Sequence, residues 1–582
     1  MKFKTIFKRA IDFNTFPLLI NIILVLISCN GNNQDIDNRS VFRYNSDNGI
    51  TSLDPAFART QDNIWAVSQL FNGLVQLDSE LLIKPSIAYK WEVSPDGLTY
   101  RFYLRTDVFF HTSKIFKKGL PRKVIAPDFV YSFNRIMNET TASPGAWIFN
   151  DKVADNPFIA INDSTLEIHL KKPFPPFLGL LTMPYCFVVP KDAIDKYGKD
   201  FGRHPIGTGP FMFSQWNEEV KLIFLKNPDY FECRGGVYPH PNPNRTISCY
   251  NTNKGGGKPH PDCSSDCEIP YLDAVAISFL DDKQAAFLEF LQGNLDFFNG
   301  LESSFKDEII EKDGKLKQKY LSKFTTLVTP FLNTEYLAFL VDDSMGNSTS
   351  HPLYDKNLRL AIQFGINKKA IMKHLRNNIG FPADGGFVPK GLPGYSPQKA
   401  EDWGYNPIIA KHYLVKSGRA KNKKPITLYT TKDYLDICLF VQKDLKNIGL
   451  DVALEVQPAS FLKEEKSNNR LNFFRGSWIA DYPDAENYLA CFYSPNFSPN
   501  GPNYTHFKNK TYDQLYESIF AQPNDSLRIE IYHKMENILL NECPVIPLFY
   551  DQSIRLISHR IKNMKNTAAN SLDLRRVRIE KK

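Results

Sequence analysis

The 582-residue sequence contains no H-E-x-x-H, no G-x-S-x-G and no P-loop, and its 11 histidines are not clustered at catalytic spacing. The common metallohydrolase, serine-hydrolase and nucleotide-hydrolysing arrangements depend on those spacings, so a secreted hydrolase has no support. His111, His169, His204, His351, His374 and His412 stand isolated, which fits structural roles better than ligation. There is no internal repeat, and no apolar run beyond the N-terminus approaches the length of a bilayer span. Charge of one sign is also scarce: a formal net charge of +8 is too diffuse over this length to imply nucleic acid. Apolar character is abundant by contrast. With 42% hydrophobic and 13% aromatic residues, the chain can bury sizeable cores and does not read as disordered.

The N-terminus decides the compartment. Lys2, Lys4, Lys8 and Arg9 precede an apolar run, 16–27, broken only by Pro17 and Asn21. That run is too short to span a bilayer comfortably as a helix and reads as a signal peptide. It ends in Leu26-Ile27-Ser28-Cys29, before the polar Asn30-Gly31-Asn32-Asn33-Gln34, and resembles the bacterial lipobox. The resemblance implies a signal peptide over 1–28, a tether over 29–40 and acylation of Cys29. Acyl chains would hold the exported protein at the cell envelope, each buried CH₂ contributing ~0.8 kcal/mol. Four basic residues against Asp12 give the signal segment +3, so the mature chain carries +5.

Cysteine is sparse as well, at nine. Cys233, Cys249, Cys263 and Cys267 crowd into 232–269, a stretch rich in Gly, Pro, Asn and His without apolar periodicity. It reads as a loop insertion. In an oxidising compartment two disulfides are the plain expectation, and a zinc site drawing on His240 and His260 is the sharper one. The wide 233–249 spacing and the single close pair weigh against zinc. Cys186, Cys438, Cys491 and Cys543 sit among apolar residues and are expected as buried thiols.

Along the chain, strand-like and helix-like segments alternate. Residues 41–44 alternate as a strand, and 60–77 carry Ile64, Val67, Leu70, Phe71 and Leu74 at helical spacing. Residues 91–93 and 100–104 flank the turn Ser94-Pro95-Asp96-Gly97, as in an antiparallel pair. Ala126-Pro127-Asp128 opens a helix to Met137, and 166–170 is strand-like. From about Thr326 a second α/β region begins, with helices over 356–364, 368–376, 408–416, 434–447 and 526–540. Its strands are expected at 426–429, 452–455 and 545–548.

In this order the segments resemble bacterial extracellular solute-binding proteins of family 5, which serve oligopeptide, dipeptide and nickel importers. The likeness rests on collinear landmarks: Leu53-Asp54-Pro55, Phe71-Asn72-Gly73-Leu74-Val75, Trp91-Glu92-Val93 and Asp96-Gly97-Leu98-Thr99-Tyr100. It continues through Pro205-Ile206-Gly207-Thr208-Gly209-Pro210, Lys226-Asn227-Pro228-Asp229-Tyr230, Asn357-Leu358-Arg359 and Trp478-Ile479-Ala480-Asp481-Tyr482. It implies an α/β, two-lobed periplasmic-binding-protein fold of type II, with a hinge and an extra inserted domain. On that template 41–83, 202–325 and 556–582 build lobe I, 84–201 the inserted domain and 326–555 lobe II. The family has only a few residues where 232–269 stands, so that insertion is a departure.

The resemblance also implies a function: capture of a peptide between two lobes and delivery to a permease and ATPase of an ABC importer. The binder would act as a monomer, without metal or cofactor. A peptide brings a free ammonium, which costs several kcal/mol to bury unless paired. In the family the pairing carboxylate is the Asp of a GWxADY motif, which places that role on Asp481. The other reading of Asp481 is a turn or helix-cap aspartate, the role expected of Asp484. Residues 473–478 read as a strand able to pair with an extended ligand, where Gly476 admits the ligand backbone, beside Ser477. Trp478 offers a flat wall or a core packing residue. Arg475 is expected to receive a ligand carboxylate or to be a solvated surface arginine. Asp481 and Arg475 together favour a zwitterion over a nickel chelate or haem. A surface adhesin or sensor on the same fold is the remaining alternative.

Overall fold

The computed structural model describes residues 39–232, 238–239, 246–247, 269–299, 303–342, 351–383, 385–397, 403–419, 424–565 and 567–580. The lipidation expected at Cys29, and the disulfides or zinc expected among Cys233, Cys249, Cys263 and Cys267, lie outside the described residues.

Alternation in Val41–Asn45 (β1) buries Phe42 and Tyr44 and leaves their neighbours half-buried. After two three-residue strands, Val75–Leu77 and Ile83–Pro85, that pair only with each other, β2 (Ala88–Val93), β3 (Thr99–Leu104), β4 (Val153–Asn162) and β5 (Thr165–Leu170) form their own antiparallel sheet in the order β2-β3-β5-β4. All other long strands join β1. They are β6 (Phe211–Asn217), β7 (Lys221–Lys226), β8 (Ala274–Ser278), β9 (Phe297–Asn299), β10 (Phe324–Phe339), β11 (Ile426–Thr430), β12 (Val452–Val456), β13 (Phe473–Ile479) and β14 (Val545–Ser558). The sheet runs β12-β11-β13-β10-β14-β9-β1-β8-β7-β6, with the short strand Phe381–Pro382 beside β14.

Two strands connect the lobes. Antiparallel β10 and β14 pair from Phe324↔Ser558 to Pro330↔Gln552, lose register, and pair again from Thr334↔Tyr550 to Ala338↔Val545. Their first stretch neighbours β9 of lobe I through Phe297↔Ile557. Their second stretch neighbours β13 of lobe II through Asn333↔Ile479 to Phe339↔Phe473. Beyond the bulge, alternate residues feed two cores: Leu337, Phe339, Phe473 and Ile546 on one face, Tyr336, Ala338 and Phe474 on the other. A third core joins β1 to the β2–β5 sheet, so Phe42, Phe102 and Phe129 belong to one apolar cluster.

Helices start where the sequence supplies caps. α1 (Gln61–Leu70) is capped by the Thr60 hydroxyl, and α2 (Ala126–Met137) by Asp128, whose Oδ2 accepts from Ile125 N–H at 2.9 Å. The periodicity across 60–77 predicts a longer helix than forms. α1 stops at Leu70 because the 205–210 loop crosses its end: the Leu70 carbonyl accepts from Gly209 N–H at 2.8 Å. A Cβ at Gly207 would lie 1.9 Å from that carbonyl oxygen, so only glycine allows the crossing. Phe71 and Leu74 stay buried in extended chain. The C-terminal tail returns to the same helix. Trp65 Nε1 donates to the Asn570 carbonyl at 2.7 Å, and Leu572, Leu574 and Val577 enter the β1 core. Cys186, Cys438, Cys491 and Cys543 are free, buried thiols, as expected.

Candidate binding site

β13 carries four of the five expected binding residues and ends two residues before the fifth. One edge is fully used by β10, including Tyr336↔Gly476 and Thr334↔Trp478. The other edge meets β11 at Tyr429↔Phe474; beyond Phe474 it has no strand partner among the described residues. Residues 475–479 therefore keep backbone groups free of any ladder on that side, the condition for adding an extended ligand as a strand.

Gly476 is required by the strand pairing itself. A Cβ there would lie 2.5 Å from Tyr336 Cζ, so the cross-strand tyrosine fills the space of the missing side chain. Trp478 is half-buried and takes the core-packing role, the second of its two expected readings. It packs on the β13 core, and its Nε1 donates to Asn487 Oδ1 at 3.0 Å. Ser477 is half-buried opposite Glu335.

Asn487 organises the motif, although no pattern in the motif's own residues points to it. It lies in the short helix Glu486–Leu489, buried. Besides holding Trp478, its Oδ1 accepts from the Asp481 N–H at 3.2 Å, while its Nδ2 donates to Asp481 Oδ2 at 3.2 Å. Asp481 makes no ion pair among the described residues. It is open to solvent, yet burial by the surrounding protein raises its carboxyl above the usual range, against the opposing Asn487 bond. Its negative charge is felt at Tyr185, on the lobe I side, where the charge of Arg59 acts in the opposite sense. Asp484 differs. It caps the Glu486 N–H at 2.9 Å, accepts from Tyr532 Oη at 2.7 Å and pairs with Arg528 at 3.0 Å.

Arg475 is neither at the surface nor unpaired. Its Nε and Nη2 both donate to Glu335 Oε2, the first at 3.1 Å, and its guanidinium lies 3.2 Å from the centre of the Tyr434 ring. Glu335 also accepts from Asn333 Nδ2 at 3.0 Å and Tyr434 Oη at 3.3 Å. Burial raises the Glu335 carboxyl and Arg475 opposes that rise. The charge expected to meet a ligand carboxylate is thus already matched within the protein. Glu335 is 140 residues away in sequence, and only the β10–β13 register brings it near.

Two lobes joined by paired crossing strands, with a carboxylate at Asp481 that pairs with no cation among the described residues, define a binding protein of the periplasmic type. The chain belongs to the bacterial extracellular solute-binding proteins of family 5, whose family model matches residues 83–500. It is 24% identical to the dipeptide-binding protein DppE of Bacillus subtilis, over 98% of this chain and 99% of that one. It is also 24% identical to the dipeptide-binding protein of Escherichia coli, over 85% and 86% of the two chains. Among solved structures, HbpA2 from Haemophilus parasuis superposes with a TM-score of 0.76 at 20% identity, over 94% of this chain and 100% of that one. The unliganded open form of the murein tripeptide-binding protein MppA gives 0.74 at 23%, over 94% and 98%.

Proposed function

We propose that this protein captures peptides between its lobes and hands them to the permease of an ABC importer, anchored at the cell envelope through Cys29. The observation that carries the reading is Asp481: a carboxylate without a cation partner among the described residues, held by Asn487 two residues past the end of β13. A ligand ammonium supplies the missing charge, and the ligand backbone pairs with residues 475–479. The dipeptide-binding relatives support the same ligand class. An ammonium-seeking carboxylate favours a peptide over a haem or a nickel chelate.

The test is calorimetry with alanine peptides of two to five residues and their N-acetylated forms. Asp481→Ala is expected to weaken the free-amine peptides by about 2–5 kcal/mol, the usual cost of removing one partner of a desolvated charge pair. N-acetylated peptides should be nearly indifferent to the change. Equal losses for both would remove the ammonium role.

A further inference from the structure

Charged side chains from three strands meet on one face of the sheet, beside the stretch of β13 whose second edge has no strand partner among the described residues. The antiparallel register puts Asn333 and Glu335 of β10 on the same face as Arg475 and Ser477 of β13. Asp551 of β14 lies alongside, and the Asn333 amide joins the two carboxylates. Its Nδ2 donates to Glu335 Oε1 at 3.0 Å and to Asp551 Oδ2 at 2.5 Å. Each carboxylate holds one arginine: Glu335 holds Arg475, and Asp551 pairs with Arg376 at 2.6 Å. Two arginines against two carboxylates leave these four groups neutral together.

The cluster is sealed at one end and open at the other. The Glu335 side chain is 2% exposed and that of Arg376 32%. Ser477, opposite Glu335, is half-buried. Tyr434, between β11 and the helix Leu435–Ile448, covers the Arg475 guanidinium and donates to Glu335. Every hydrogen bond that Arg475 makes among the described residues uses Nε or Nη2, so Nη1 remains to donate to a ligand. Charge decides which acceptor it can take. A carbonyl adds none. A carboxylate would bring a third negative charge beside Glu335 and Asp551, which already oppose each other, where burial leaves little water to screen them.

We propose that Glu335 is a specificity-determining residue: by matching Arg475 it makes that end of β13 take the uncharged carbonyl of a peptide chain and reject a carboxylate. This rests on the peptide reading above, and narrows it to peptides that pass Arg475 with an internal peptide bond or a blocked end.

The probes are alanine peptides of two to five residues, each as the free acid and as the C-terminal amide. They are titrated by calorimetry into the wild type, Glu335→Gln and Glu335→Asp. Glutamine keeps the side-chain length and an oxygen for Arg475 but removes the charge; aspartate keeps the charge and draws it back by one methylene. The wild type should bind acid and amide alike, or the amide more tightly, at every length. In Glu335→Gln the acid-to-amide affinity ratio should rise roughly tenfold or more at the length that brings the C-terminus to Arg475, the scale of a hydrogen bond to a charged group. Glu335→Asp should move the ratio the same way by less. A merely structural Glu335 would weaken acid and amide together. A ratio equal in all three proteins, or a wild type that prefers the acid, therefore overturns the role of Glu335 and leaves the Asp481 reading standing. Failure of every free-amine peptide to bind the wild type overturns the peptide reading and this inference with it.

Discussion

Asp481 and Asp484, three residues apart, end in opposite situations. Asp484 is spent on Arg528, Tyr532 and a backbone N–H; Asp481 has an amide and, among the described residues, no cation. The sign of the Asp481 shift gives it a stability signature. Its folded pKa lies above the unfolded one, so the ligand-free protein loses stability as pH rises from the unfolded value through the folded one. Asp481→Asn keeps an oxygen for Asn487 and removes the charge. The ligand-free variant should therefore melt higher than the wild type at pH 7, and the gap should close on acidification below the ordinary carboxylate range. Calorimetric melting at the two pH values checks this; a variant that melts lower at pH 7 would mean that the carboxylate is a structural partner. Greater stability with weaker binding is the trade-off expected of a site kept ready for a charge it lacks.

At the scale of elements, β13 and β10 depend on one exchange of volume. Tyr336 occupies the place of a Gly476 side chain, and Tyr336 is itself buried. Gly476→Ala forces a buried ring to move and should cost about 1–3 kcal/mol, the range for overpacking a filled core. The denaturant midpoint should fall, and Tyr336→Leu in the same chain should recover part of it; an unchanged midpoint would show that the ring moves freely. Element legibility followed the same logic. Strand β13 and the helix Leu435–Ile448 stood out because local pattern sets them. The end of α1 did not, because a loop more than 130 residues downstream imposes it. The long strand β10 was missed, as only its second half carries a buried run, and Pro330 interrupts the pattern at the bulge. In the site, Asp481 and Trp478 were legible as a motif. Asn487 and Glu335 were not, since each acquires its role only by folding against that motif.

On the scale of the whole molecule, the β10–β14 pair offers little resistance to bending where its register breaks, so contacts between the lobes govern how readily they stay together. Two aromatic contacts lie across that gap. Phe174, just after β5, stacks on Phe520 of lobe II with ring centres 5.6 Å apart, and Trp147 meets Tyr482 at 6.5 Å. Tyr482 follows Asp481 directly and buries its ring in the lobe I core, so the ammonium anchor and the interlobe contact share one turn. A ligand that pairs Asp481 should then favour the joined state, because it fixes the backbone that presents Tyr482. Loosening the contact elsewhere should act against the ligand. Phe520→Ala removes the one interlobe aromatic pair it makes, about 0.5–1.5 kcal/mol, along with its edge contact to Tyr516 inside lobe II, so peptide Kd should rise by about two- to tenfold. The loss should come from a larger open fraction rather than from the site. Small-angle scattering of the ligand-free variant should show a larger radius of gyration, and saturating peptide should restore the wild-type value. Unchanged affinity with unchanged scattering would mean that the stack contributes nothing to closure, leaving Tyr482 as the contact that couples the anchor to the lobes.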